Sequence, residues 1–172
     1  MADPYPTCWL NGEYLPLAAA RISPLDRGFL FADGVYEVIP VHRSRPFRLR
    51  AHLQRLDASL AAIRLPNPHD EREWQSILQQ LAAAAGGAEM LLYVQVTRGA
   101  ETGRNHLFPR PAAPTVFAFA SPYPLPSATT LDEGLSAITL DDIRWARCDI
   151  KSVALLANVL LRQEAADRGA DE

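Results

Sequence analysis

Apolar and polar positions along this chain keep two rhythms, and the places where one gives way to the other outline a fold. From Val35 the period is two: Val35, Glu37, Ile39 and Val41 share one side, Tyr36, Val38 and His42 the other, until Arg43-Ser44-Arg45-Pro46 turns the chain. This pattern predicts a strand pair. Between Arg50 and Ile63 the apolar residues Leu53, Leu56, Leu60 and Ile63 recur every three or four positions, which lays one stripe along a helix and leaves Arg55, Asp57 and Ser59 off it. After Pro66 and Pro68 a second helix is expected, with acidic residues at its positive N-terminal end. Trp74, Ile77, Leu78 and Leu81 form its apolar row, and Gly86-Gly87 closes it.

Asn11-Gly12 sits between two short apolar runs and suits the positive φ values of a tight hairpin, so a β-hairpin should open the chain. Residues 89–99 and 113–122 are apolar and partly β-branched and read as central strands, joined by a long polar loop over 100–112. Strands, then helices, then strands predict an α+β domain over residues 1–120, built of antiparallel strands with two helices. The proline-rich "SPYPLPS" that follows reads as a stiff linker. Residues 121–172 should then hold a strand around "LSAITL" (135–140) and a helix from about Ser152 to Arg168, with Val153, Leu156, Val159 and Leu160 facing inward. One strand and one amphipathic helix cannot cover their own apolar face, so this stretch is expected to be the incomplete start of a larger α/β domain in a truncated chain.

Composition narrows the classes. With 48% hydrophobic and 22% charged residues the chain has the balance of a soluble globular protein. A net charge of −3 without long runs gives no general attraction for polyanions, so neither nucleic acid nor membrane is expected as a partner. Cys8 and Cys148 lie far apart with no CxxC pattern, which argues against a zinc site or a disulfide framework. No leader-like segment and no apolar run of bilayer length is present, and a cytoplasmic location is expected.

The cations are distributed unevenly: sixteen arginines accompany one lysine, Lys151. Coding bias could leave one lysine by chance. Chemistry offers another reason, because an ammonium can lose its proton when desolvated and attack a carbonyl, whereas a guanidinium stays protonated. Cys148, Ile150, Val153, Ala154, Leu155 and Leu156 surround Lys151 in sequence and make its neighbourhood mostly apolar. Buried, perturbed amines cluster at functional sites, although structural ones also occur.

Three stretches, "DRGFLFADGVYEV" (26–38), "VTRG…RNHLFP" (96–109) and "DIRWARCDIKSVALLANVLLRQEA" (142–165), occur in an order and spacing that resemble the fold-type IV pyridoxal-phosphate aminotransferases, the D-amino acid aminotransferases most of all. The resemblance implies that Lys151 holds pyridoxal 5'-phosphate as a Schiff base and moves the substrate proton. It implies that Arg55 binds the cofactor phosphate, a role suited to a forked cation; by itself Arg55 reads as an exposed helical arginine in a weak surface pair. It implies that Tyr36, Arg104 and His106 capture the substrate α-carboxylate, with the arginine and histidine coming from the neighbouring subunit of a homodimer. Without it, Tyr36 is an ordinary packed strand tyrosine and the other two are loop decoration. Glu37 receives no catalytic role, the stretch from Trp145 to Cys148 is expected to shape the cofactor pocket wall, and Cys148 is not expected to act as a nucleophile.

Transamination between D-amino acids and 2-oxo acids is the activity this resemblance implies. Branched-chain L-amino acid transamination and aminodeoxychorismate cleavage are the alternatives within the fold. A non-catalytic fragment that acts only in dimerisation is the alternative from another class. The acidic partner of the cofactor nitrogen and much of the phosphate cup would lie beyond Glu172, so the 172 residues alone are expected to be weakly active or inactive.

Overall fold

The computed structural model describes residues 3–172. Among them, six strands form one antiparallel sheet: β1 (Thr7–Leu10), β2 (Glu13–Pro16), β3 (Gly34–His42), β4 (Arg45–Pro46), β5 (Met90–Thr97) and β6 (Thr115–Pro122), in the spatial order β2-β1-β6-β5-β3-β4. The helices are α1 (Arg27–Phe31), α2 (Leu49–Ala62), α3 (Glu71–Ala85), α4 (Ala128–Glu133) and α5 (Leu156–Asp167). The fold is α+β, as the strand–helix–strand order predicts.

The period-two pattern sets the register of the central strands. Val35 faces Val96, Ile39 faces Leu92 and Val41 faces Met90 across β3 and β5, while Leu92 meets Ala120 and Val96 meets Val116 across β5 and β6. These side chains point to one face, where Leu53, Leu56 and Leu60 of α2 and Trp74, Leu78 and Leu81 of α3 bury them in a single core. The other face carries the alternate residues Tyr36, Tyr93, Gln95, Phe117 and Phe119, all half-buried. Their rings form a ladder, with centroids 5.8 Å apart for Tyr36–Tyr93, 5.2 Å for Tyr93–Phe119 and 5.5 Å for Phe117–Phe119.

Local chemistry fixes the ends. Asn11 and Gly12 both have positive φ, at 49° and 106°, as the β1–β2 turn requires. At the start of α3 the Asp70 carboxylate accepts from the Glu73 N–H at 2.9 Å and the Glu73 carboxylate accepts from the Asp70 N–H at 2.9 Å, a reciprocal cap. Gly86, with φ 69°, ends that helix.

By contact the described chain divides into two compact units: residues up to Pro124 together with Asp149–Val153, and Leu125–Cys148 together with Ala154–Glu172. Lys151 belongs to the unit that holds the sheet. In the second unit the expected strand over 135–140 is absent. Its backbone is engaged by the C-terminal tail instead: Ile138 donates to the Glu172 carbonyl at 2.9 Å, and the Asp171 carboxylate accepts from the Ser136 N–H at 2.9 Å. The inward row of α5 is also not the expected one. Leu156, Val159 and Leu160 are exposed, and the residues turned in are Ala157, Leu161 and Ala165, spaced by four. Leucine and valine recur so often in this helix that hydropathy alone does not choose between adjacent rows.

Candidate active site

Lys151 is presented by a short return of the chain to the sheet. Ser152 forms an antiparallel bridge with Val35, the Lys151 carbonyl accepts from the Tyr36 N–H at 3.0 Å, and Val153 N–H donates to the Gly34 carbonyl at 3.1 Å. From the side of α2, the Ser59 hydroxyl accepts from the Lys151 N–H at 3.3 Å. With its backbone held at these points, the half-buried lysine places Nζ over the Tyr36 ring, 4.0 Å from the centroid. Ser59 is itself buried, although a single apolar stripe along α2 would leave it outside.

On the opposite face of β3, Glu37 is fully buried. Its carboxylate accepts from Arg55 Nε at 2.6 Å and Arg55 Nη2 at 2.7 Å, and lies 2.8 Å from His52 Nδ1. Arg55 lies off the apolar stripe of α2, as its spacing requires, but it is not a free side chain. A bidentate carboxylate fixes one edge of the guanidinium while 52% of the side chain stays exposed. The hydrogen bonds that Arg55 donates to Glu37 raise the Arg55 pKa further against a smaller opposing effect of burial, so Arg55 is a permanent, oriented cation.

Arg104 and His106 lie on the loop after β5, with both side chains exposed. They converge on Phe31 at the end of α1: the Arg104 guanidinium is 5.1 Å from the ring centroid, and the His106 ring centroid is 5.0 Å from it. The spacing of two therefore brings both to one aromatic platform. Among the described residues no hydrogen bond or ring contact joins either of them to Tyr36. Gly99, where this loop leaves β5, has φ +88°, and an added Cβ would stand 1.8 Å from the Ala113 carbonyl oxygen, so only glycine fits.

Beneath the loop, two arginines share one carboxylate. Asp33 accepts from Arg27 Nε at 2.8 Å and from Arg98 through Nε at 2.8 Å and Nη2 at 3.0 Å, and both arginines are almost fully buried. Burial alone would push the Asp33 carboxyl up, but the hydrogen bonds and charges of Arg98 and Arg27 outweigh it and hold the group below the usual carboxylate range. Because the folded-state pKa is the lower one, the stability this group contributes is complete above the ordinary value of about 4. It is lost as the pH falls through the depressed value. Asp33→Asn should flatten the acid limb of stability against pH below about pH 4, read by urea unfolding across the acid range.

The family resemblance singles out Lys151, Tyr36, Arg55, Arg104 and His106 one at a time; the structure brings Lys151 to Tyr36, and Arg104 and His106 to Phe31, and joins Arg55 to Glu37. Glu37, Ser59, Arg27, Asp33 and Arg98 were given no part by the sequence. The available signal was Glu37, a carboxylate in register with core valines on a strand face that ought to be apolar, which implies a cationic partner on the covering helix.

A family model described as amino-transferase class IV matches residues 34–172. The chain belongs to the amino-transferase class IV family. Among curated relatives, the D-alanine aminotransferase of Staphylococcus haemolyticus is 37% identical over 165 residues, a match covering 95% of this chain and 58% of that protein. That of Bacillus licheniformis is 39% identical over 162 residues, covering 94% and 56%. The chain thus spans between half and two thirds of the length of these relatives. Among solved structures, a hypothetical aminotransferase from Mycobacterium tuberculosis in its apo form superposes with a TM-score of 0.78 at 28% identity, over 95% of this chain and 59% of that one. The branched-chain amino acid aminotransferase of Escherichia coli superposes with a TM-score of 0.86 over 100% and 59%, and at 23% identity that likeness is one of fold alone.

Proposed function

We propose that the protein exchanges amino groups between D-amino acids and 2-oxo acids, with pyridoxal 5'-phosphate bonded to Lys151. The observation that carries this reading is the half-buried Lys151 amine over the Tyr36 ring, held by its own backbone to β3. The residues present fit the cofactor: a half-buried amine suits its aldehyde, and the oriented Arg55 cation suits its phosphate. When bound, the cofactor supplies an electron-withdrawing ring that makes the substrate Cα proton acidic.

The protein's own part is positioning and proton transfer. Lys151 Nζ, once free and neutral, is the base that takes the proton from the substrate Cα and holds it as an ammonium, a role arginine cannot perform. Tyr36, stacked on Tyr93, lines one side of the amine. Burial pushes the Tyr93 phenol up to about 12, so it stays neutral, and it donates to Gln95 at 2.7 Å. Arg104 and His106 offer two donors for a substrate carboxylate, and because they point to Phe31 rather than Tyr36 in one chain, we assign them to the site of a second subunit in a homodimer. Identities of 37–39% to D-alanine aminotransferases support the D-specific reading over branched-chain or aminodeoxychorismate chemistry. No helix among the described residues is long and apolar enough to cross a membrane.

The test is an assay of the full-length protein with D-alanine, L-leucine and aminodeoxychorismate in turn. The D-substrate should be turned over at least about 100-fold more efficiently than the L-substrate, about 3 kcal/mol of discrimination. Turnover of L-leucine alone, or of aminodeoxychorismate alone, would replace this reading by the corresponding alternative.

A further inference from the structure

The loop that carries Arg104 and His106 is exposed on its outer side, yet its backbone is fastened from beneath by one side chain. Arg27, the first residue of α1, is 3% exposed. Its Nη1 donates to the carbonyls of Asn105 and Leu107, its Nη2 donates to the carbonyl of His106 at 3.3 Å, and Nη1 also pairs with the Glu101 carboxylate at 3.0 Å. Three consecutive loop carbonyls thus converge on one guanidinium, whose remaining edge is held by Asp33 at 2.8 Å. Asp33 is locked in turn by Arg98, whose guanidinium lies 3.7 Å from the centroid of Phe108, the next loop residue.

Helix α1 is itself fixed. Asp26 caps it by accepting from the Gly28 N–H at 2.8 Å, and the same carboxylate accepts from Thr97 at 3.0 Å and Thr115 at 2.7 Å, which pins it to β5 and β6. The far end of the same helix provides Phe31, the ring on which Arg104 and His106 rest, and Arg27 lies 4.9 Å from that ring's centroid. One five-residue helix therefore holds both the backbone and the side chains of the loop.

We propose that Arg27 is a positioning residue for substrate capture: it sets the pose of Arg104 and His106 through the loop backbone while touching no substrate itself. The kinetic side of this inference rests on the reading of Arg104 and His106 as carboxylate-binding groups; the mechanical side does not. Five N–H donors in a rigid fork suit this junction, where backbone carbonyls converge from one side and carboxylates from two others. A lysine offers a single point charge and cannot span them.

The test compares Arg27→Lys and Arg27→Gln with the unaltered full-length protein in hydrogen exchange, substrate kinetics and cofactor binding. Exchange across residues 101–108 should quicken by about tenfold or more while residues 90–97 keep their protection, since the loop loosens without the sheet opening. KM for amino donor and oxo-acid acceptor should rise by about tenfold or more, with kcat reduced less and pyridoxal-phosphate affinity within about twofold, because Lys151 and Arg55 are undisturbed. Unchanged exchange in 101–108, or a loosened loop with unchanged KM, overturns the proposal. If the Arg27 variants do not fold, Glu101→Gln removes one anchor at the more exposed end and must produce the same local quickening, and its failure to do so overturns the proposal equally. If the unaltered protein turns over no amino acid, the proposed function fails and the exchange measurement alone decides the clamp.

Discussion

Lys151→Arg should abolish amino-group transfer, lowering kcat with D-alanine in the full-length protein by at least roughly 10⁴-fold, because covalent attachment and proton transfer are lost together. The substitution keeps the charge and nearly the length of the side chain. The lysine's structural ties are made by its backbone, to Tyr36 and Ser59, and these survive the change. Its melting temperature should therefore stay within a few degrees of the unaltered protein, separating lost chemistry from lost fold. Residual turnover within about tenfold of normal would mean that the amine does neither job.

Trp74→Ala should destabilise the protein by about 3–5 kcal/mol, the cost of emptying a large, fully packed core site. Trp74 is 1% exposed in the core between α3 and the sheet, its indole N–H donates to Asn67 at 2.9 Å, and its ring meets His69 edge-on at 4.9 Å. His69 in turn packs on Trp9 of β1, at 5.3 Å between ring centroids, so the hole would open beneath two strata of the fold. Denaturant unfolding reads the change as a lower midpoint at similar slope. A substitution at the exposed Arg72, two residues earlier on the same helix, should shift the midpoint by no more than about 0.5 kcal/mol.

What could be read from the residues, and what could not, follows from the range of the interactions involved. Alternation along β3 separates Tyr36 from Glu37 because neighbouring side chains in a strand must point to opposite faces, and no tertiary knowledge is needed for that. The Leu53, Leu56 and Leu60 stripe fixes which side of α2 turns inward for the same kind of reason. Arg27, Asp33 and Arg98, by contrast, meet only after β5 has paired beside β3, and nothing local marks a salt-bridged hub whose members are six and sixty-five positions apart. The helix α1 went unread within "SPLDRGFLFADG" because it is a single turn whose stability comes from the Asp26 cap and its ties to Thr97 and Thr115 rather than from propensity. The segment 135–140 has strand-like residues but no strand to pair with, and a strand exists only through its partner.

The one lysine makes the central measurement clean, since within these 172 residues no other side chain offers a primary amine. Full-length protein is incubated with pyridoxal 5'-phosphate, reduced with borohydride, digested, and the peptides are weighed. The account predicts a pyridoxyl-phosphate adduct on the peptide containing Lys151, and its disappearance in Lys151→Arg. An unmodified Lys151 peptide at saturating cofactor would contradict it.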